Sequence, residues 1–152
     1  MVYRWAGVAA FVMLACPPGH AQSAGPDVRG GWQAEMYTLK TGERHTVKGM
    51  IVFTASDWNM TFFVTPGGQA PQRAVAEGGT YTLDGTKLVV RQLYNFSNGG
   101  ELPGLPVSPM RMAVQNRATA PVEEVTVAVD VERLTLAFPS GNTMMFRRSS
   151  RF

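Results

Sequence analysis

From Trp32 onward, apolar and polar residues alternate with a period of two, the signature of half-buried strands rather than helices. Trp32, Ala34 and Met36 alternate with Gln33, Glu35 and Tyr37, and Thr41-Gly42 supplies a turn. A second strand is expected over 44–55, with Val47, Ile51 and Phe53 on one face and Thr46, Lys48 and Thr54 on the other. Trp58, Met60, Phe62 and Val64 alternate with Asn59, Thr61 and Phe63 until Pro66-Gly67-Gly68 ends the run. Residues 69–77 fit either a short strand or a loop. Thr80 to Leu83 then faces Thr86 to Phe96 across Asp84-Gly85, a strong hairpin signal in which both turn positions favour positive φ. On the second arm the pattern places Leu88, Val90, Tyr94 and Phe96 together, with Lys87, Arg91 and Asn95 opposite.

Residues 97–109 hold Gly99-Gly100, Pro103-Gly104, Pro106 and Pro109, so an irregular stretch is expected there. Met110, Met112 and Val114 make a short strand, Val125, Val127 and Val129 the next, and Leu134, Leu136 and Phe138 another. Pro139-Ser140-Gly141-Asn142 forms a turn before Met144, Phe146 and Arg148 close the chain on one face. Strands joined by short turns, without crossover helices, point to an antiparallel sheet. The expected fold is all-β, an antiparallel up-and-down β-barrel of about eight strands, because closure leaves no exposed edge.

The first residues follow a different rule. Arg4 precedes an apolar run from Trp5 to Cys16, then Pro17-Pro18-Gly19 and a small-residue end at Ala21. That order marks residues 1–21 as a secretory signal peptide, and the run is too short for a ~30 Å bilayer. A flexible leader over 22–29 and a barrel domain over 30–152 follow. The 152 residues contain one cysteine, Cys16, within the first segment. If Cys16 is lipidated after Met13-Leu14-Ala15, the protein is tethered as a lipoprotein; if it is removed, the protein is periplasmic or secreted and carries no thiol. The remaining ~130 residues suffice for a barrel held by its core alone.

Composition narrows the function. Charged residues are 16% and the formal net charge is +3, of which Arg4 contributes one. The other cations are scattered, apart from Arg147, Arg148 and Arg151, so no stripe suited to nucleic acid forms. His45 stands near a turn and reads as a surface residue. No zinc, calcium or phosphate motif is present, so neither a metal nor a cofactor is expected. Glu123, Glu124 and Asp130 read as solvated charges on or beside a Val-rich strand. No nucleophile constellation exists, and no catalytic residue is assigned.

Two interiors fit the inward residues. In one they form a packed core. In the other they line an apolar cavity, and the expected lining is Met36, Phe53, Trp58, Met60, Phe62, Tyr81, Gln92, Tyr94, Met112 and Phe138. Gln92, Tyr81 or Tyr94 would then fix a ligand's polar end.

The ends of the domain carry a resemblance. Gly30-Gly31-Trp32 opens the first strand and Phe146-Arg147-Arg148 ends the last. This pairing, with Phe53-Thr54 before Trp58 and the run Gly78-Gly79-Thr80-Tyr81-Thr82-Leu83-Asp84-Gly85, is similar to small bacterial lipocalin-like (calycin-type) barrels. The resemblance implies that Trp32 plugs one barrel end and that Arg148 lies across it, a structural pair. It also implies a small hydrophobic ligand inside the barrel. The absence of a C-terminal helix and of a disulfide departs from the large secreted lipocalins. Beside this carrier reading stands a non-catalytic protein-binding barrel of the envelope, of protease-inhibitor or assembly-factor type, whose partner would meet the leader or the loop at 97–109. A third reading is an isomerase or cyclase inside the barrel, using Tyr94 or an inward carboxylate such as Glu77 or Glu101 as acid or base.

Overall fold

A computed structural model of the protein describes residues 25–150. The expected signal segment, with Cys16, lies outside the described residues. Nine strands follow one another: β1 (Gly30–Thr38), β2 (Arg44–Phe53), β3 (Asp57–Val64), β4 (Arg73–Asp84), β5 (Lys87–Gly99), β6 (Ser108–Val114), β7 (Val122–Val129), β8 (Arg133–Ala137) and β9 (Thr143–Arg148). A single helical turn, Pro66–Gly68, separates β3 from β4. The stretch at 69–77 that could be loop or strand resolves largely into strand, because β4 starts at Arg73 and pairs with β3 along its first eight residues. The β4–β5 hairpin turns through Gly85 and Thr86, and only Gly85 takes positive φ, so the expected Asp84-Gly85 turn is displaced by one residue.

All pairings are antiparallel, in the order β4-β3-β2-β1-β9-β8-β7-β5, and β5 returns to β4 to close an eight-stranded barrel. The strand β5 makes this closure possible because it is long. Its first part, Lys87–Arg91, pairs with β7, and its second part, from Tyr94 to Gly99, pairs with β6. The strand β6 therefore lies outside the ring, as a flap continuing from the β7 edge. That placement overturns the inward orientation expected of its apolar residues. Met110, Met112 and Val114 are 65%, 75% and 90% exposed. Period two groups them correctly on one face, but this face meets solvent.

Two bulges reset the inner face. In β1 the register shifts between Gln33 and Met36, so Trp32 and Ala34 point inward and then Tyr37 does, beside Met144 and His45. Met36 is turned outward, opposite Thr46. In β5 Gly78 faces Tyr94 while Gly79 faces Gln92, which leaves Leu93 as the extra residue. Beyond that bulge Asn95 points inward opposite Glu77, and Tyr94 and Phe96 point outward.

Both barrel ends are covered. At one end Trp32 is fully buried, its indole N–H donates to the Val28 carbonyl at 2.7 Å, and the Arg148 guanidinium lies 4.1 Å from the ring centroid. Arg148 also donates to the Val131 carbonyl, and Val28 itself is buried in the core. The expected plug and its arginine are both in place. At the other end Leu102 is buried and His45, also buried, donates from Nε2 to the Pro103 carbonyl at 2.9 Å. The loop after β5 thus folds over the barrel, and His45 is an interior fastening rather than the expected surface residue.

Arg148→Ala should destabilise the barrel by about 1–2 kcal/mol, through loss of the cation–π contact and of the bonds to loop carbonyls. Trp32→Ala should cost about 3–5 kcal/mol. Urea unfolding followed by far-ultraviolet circular dichroism measures both.

Candidate ligand cavity

Inside the barrel lies a cavity of about 80 Å³. Its apolar wall comes from Ile51 on β2, Leu88 and Val90 on β5, Val125 on β7 and Leu136 on β8, all inward by strand parity and all buried. Phe53, Trp58, Met60 and Phe138 add aromatic and thioether surface. Three polar side chains enter this wall: Glu77 from β4, Gln92 from β5 and Glu123 from β7. Pro121 and Glu123 are lining residues that also reach solvent, so the cavity opens sideways, where β7 leaves β5.

Glu77 is the chemical centre of this arrangement. It sits opposite Met60 on β3 and Asn95 on β5, which fixes its inward direction. The Gln92 amide donates to its carboxylate. Burial is the largest influence on Glu77 and pushes its pKa up from the ordinary 4.5; the Gln92 bond opposes this, the Glu123 charge adds to it, and Asn95 opposes it again. Glu123, at the mouth, is also pushed up by burial. Glu123 is exposed, as its reading as a solvated charge expects, but its register puts it on the same face of β7 as Val125 and Val127, so it borders the cavity mouth. Trp58 is a lining residue as well. Its Nε1 is buried and finds no hydrogen-bond partner among the described residues.

Of the ten expected lining residues, Phe53, Trp58, Met60, Gln92 and Phe138 line the cavity. Phe62 is buried elsewhere in the interior and packs on Tyr37, with ring centroids 6.2 Å apart. Tyr81 packs edge-on against Phe53 at 5.1 Å and donates to the Thr54 carbonyl, closing the barrel end. Three are excluded. Met36 is turned out by the β1 bulge, and Met112 lies on the exposed flap. Tyr94 lies on the outer face, where it accepts a bond from the Asn59 amide over Gly78. Tyr94 therefore cannot serve as an interior acid or base. Glu101 is exposed, whereas Glu77 is the inward carboxylate. Alternation in 73–77 is too weak to orient Glu77, but the Gly78-Gly79 pair inside a strand is a bulge signal that could have located it.

A carboxyl with a higher pKa in the folded than in the unfolded chain binds more protons when folded, so stability falls as pH rises from 4.5 through the raised value. Glu77→Gln should therefore melt a few degrees higher than the unmodified protein at pH 8. The difference should shrink towards zero as pH falls below the ordinary glutamate range. Calorimetric scans across pH 4–8 measure it.

No protein-family model matches the chain, and no curated protein matches it. A similar solved structure is that of a lipocalin-like protein from Bacteroides uniformis ATCC 8492, at 16% identity and a TM-score of 0.49, covering 82% of this chain and 100% of that one.

Proposed function

We propose that the protein is an exported barrel that binds a small, mainly apolar molecule in its interior and holds that molecule's polar end at Glu77 and Gln92. The observation that carries this reading is the combination of an apolar cavity with the polar side chains of Glu77, Gln92 and Glu123 converging on it. A core that served stability alone would gain by replacing Glu77 with an apolar side chain. The volume limits the occupant. At about 80 Å³ the space is near half that of an engineered cavity of ~150 Å³ that takes benzene. One end of a chain fits, with the remainder of the molecule occupying the opening beside Pro121 and Glu123. Export rests on the signal-like residues 1–21, with lipid attachment at Cys16 as the alternative route.

Native mass spectrometry of protein taken from the envelope fraction tests the reading. Extra mass that is lost on denaturation and recovered in an organic extract is expected, on a chain beginning after Ala21. A chain that starts at acylated Cys16 instead makes the protein tethered. The bare polypeptide mass, together with no binding of n-hexanol by titration calorimetry, would count against a carrier. Val90→Phe fills the cavity and should weaken n-hexanol binding at least ~10-fold while the barrel stays folded.

A second reading, binding of an envelope protein, is favoured by one observation: the exposed Met110, Met112 and Val114 on a flap strand paired on one side only. Here an extended segment of the partner would add to the β6 edge. Met112→Lys should then abolish co-purification of that partner in a crosslinked envelope pull-down, while Val90→Phe should leave it intact.

A further inference from the structure

We infer that the cavity selects a protonated amine, an amphiphile with an ammonium head and a short apolar body. This rests on the proposed ligand-binding role of the cavity and names the class of its ligand. Three observations carry it. First, both ionisable groups that line the cavity, Glu77 and Glu123, are acids, and no lysine, arginine or histidine lines it among the described residues. A fatty acid or other anion would enter a site without a compensating cation and against two carboxylates. Second, the apolar wall includes Phe53, Trp58 and Phe138, whose ring faces favour an alkylammonium over an anion. Third, Glu77 lies on the inner face opposite Met60 and Asn95, so its carboxylate meets the cavity from the barrel wall.

The groups facing Glu77 leave room for this role. Gln92 donates to it from β5, Asn95 stands opposite it on the same strand, Glu123 approaches from β7, and Tyr37 on β1 is a more distant neighbour. The Gln92 amide satisfies part of the carboxylate's acceptor capacity of about four lone pairs. An ammonium with three donors can take the remainder. Glu123 stands at the opening, where it would draw cations inward and repel anions before either reaches the interior.

The test compares n-hexylamine, n-hexanol and n-hexanoate, three probes of nearly equal size, by titration calorimetry with the purified mature protein at neutral pH and low salt. Hexylamine should bind at least ~10-fold tighter than hexanol, and hexanoate more weakly than either. In Glu77→Gln the ratio of amine to alcohol affinity should fall towards one. If that variant does not fold, Glu123→Gln should still lower the ratio, by about 3-fold. Hexanol or hexanoate binding as tightly as hexylamine would overturn the amine assignment and leave the cavity as a binding site. Failure of all three to bind would overturn the ligand-binding reading itself.

Discussion

The bulge at Leu93 is the constraint on which the interior depends. Without it, strict alternation along β5 would put Tyr94 and Phe96 inside and Asn95 outside. The bulge needs two neighbours without side chains. A Cβ on Gly79 would collide with the Arg91 carbonyl oxygen and lie 2.9 Å from the Leu93 nitrogen, and one on Gly78 would meet the Tyr94 ring and lie 2.7 Å from the Trp58 carbonyl oxygen. Gly78-Gly79 therefore lets β3 and β5 approach β4 closely enough for β5 to kink. The kink turns Tyr94 over the outer face, where its ring covers bare glycine backbone. It also aims Gln92 and Asn95, on either side of the extra residue, at one carboxylate.

The same kink separates the two jobs of β5. Up to Arg91 it is a barrel strand that joins β7 to β4; from Tyr94 onward it supports the β6 flap. The chain leaves β6 and returns as β7 through residues 115–121, held to β5 by bonds from Gln115 N–H to the Leu93 carbonyl and from Gln92 N–H to the Pro121 carbonyl. The barrel wall is interrupted between those two bonds. With Trp32 and Val28 at one end and Leu102 and His45 at the other, the side gap beside Pro121 and Glu123 is the shortest path to the cavity.

Much of this was legible from alternation alone: all nine strands and most inward residues of β2, β3, β7, β8 and β9, whereas the pairing of Trp32 with Arg148 came from the resemblance to lipocalin-like barrels. What period two cannot register is an added residue. One extra residue in β1 exchanges Met36 for Tyr37, and one in β5 exchanges Tyr94 for Asn95. Nor can it separate an inner face from an outer one when a strand lies outside the ring, which is why Met110 and Met112 were expected in the core. The site suffered most because its polar members sit at such irregularities. Glu77 precedes the glycine pair, Gln92 precedes the bulge, and Glu123 is the second residue of β7, in the exposed start of that strand.

Glu77 also shows how the irregularities bear on the proposed binding role. The walls around it, Met60, Val90, Leu136 and their neighbours, form an environment in which a hydrocarbon side chain would be favourable and a carboxylate is not. Gln92 and Asn95 reduce that penalty without removing it, since burial remains the largest influence on the group. An amide pair poised on one buried acid has no value to a packed core, which would be better served by three apolar residues. It does have value to a pocket, because it fixes the carboxylate's orientation while leaving acceptor capacity towards the cavity. The stability lost at Glu77 is offset elsewhere, by fully buried side chains such as Trp32, Phe146 and Leu134. The barrel therefore combines a fully buried plug at Trp32 with a polar group in its cavity that packing alone does not call for, the combination on which the proposed binding role rests.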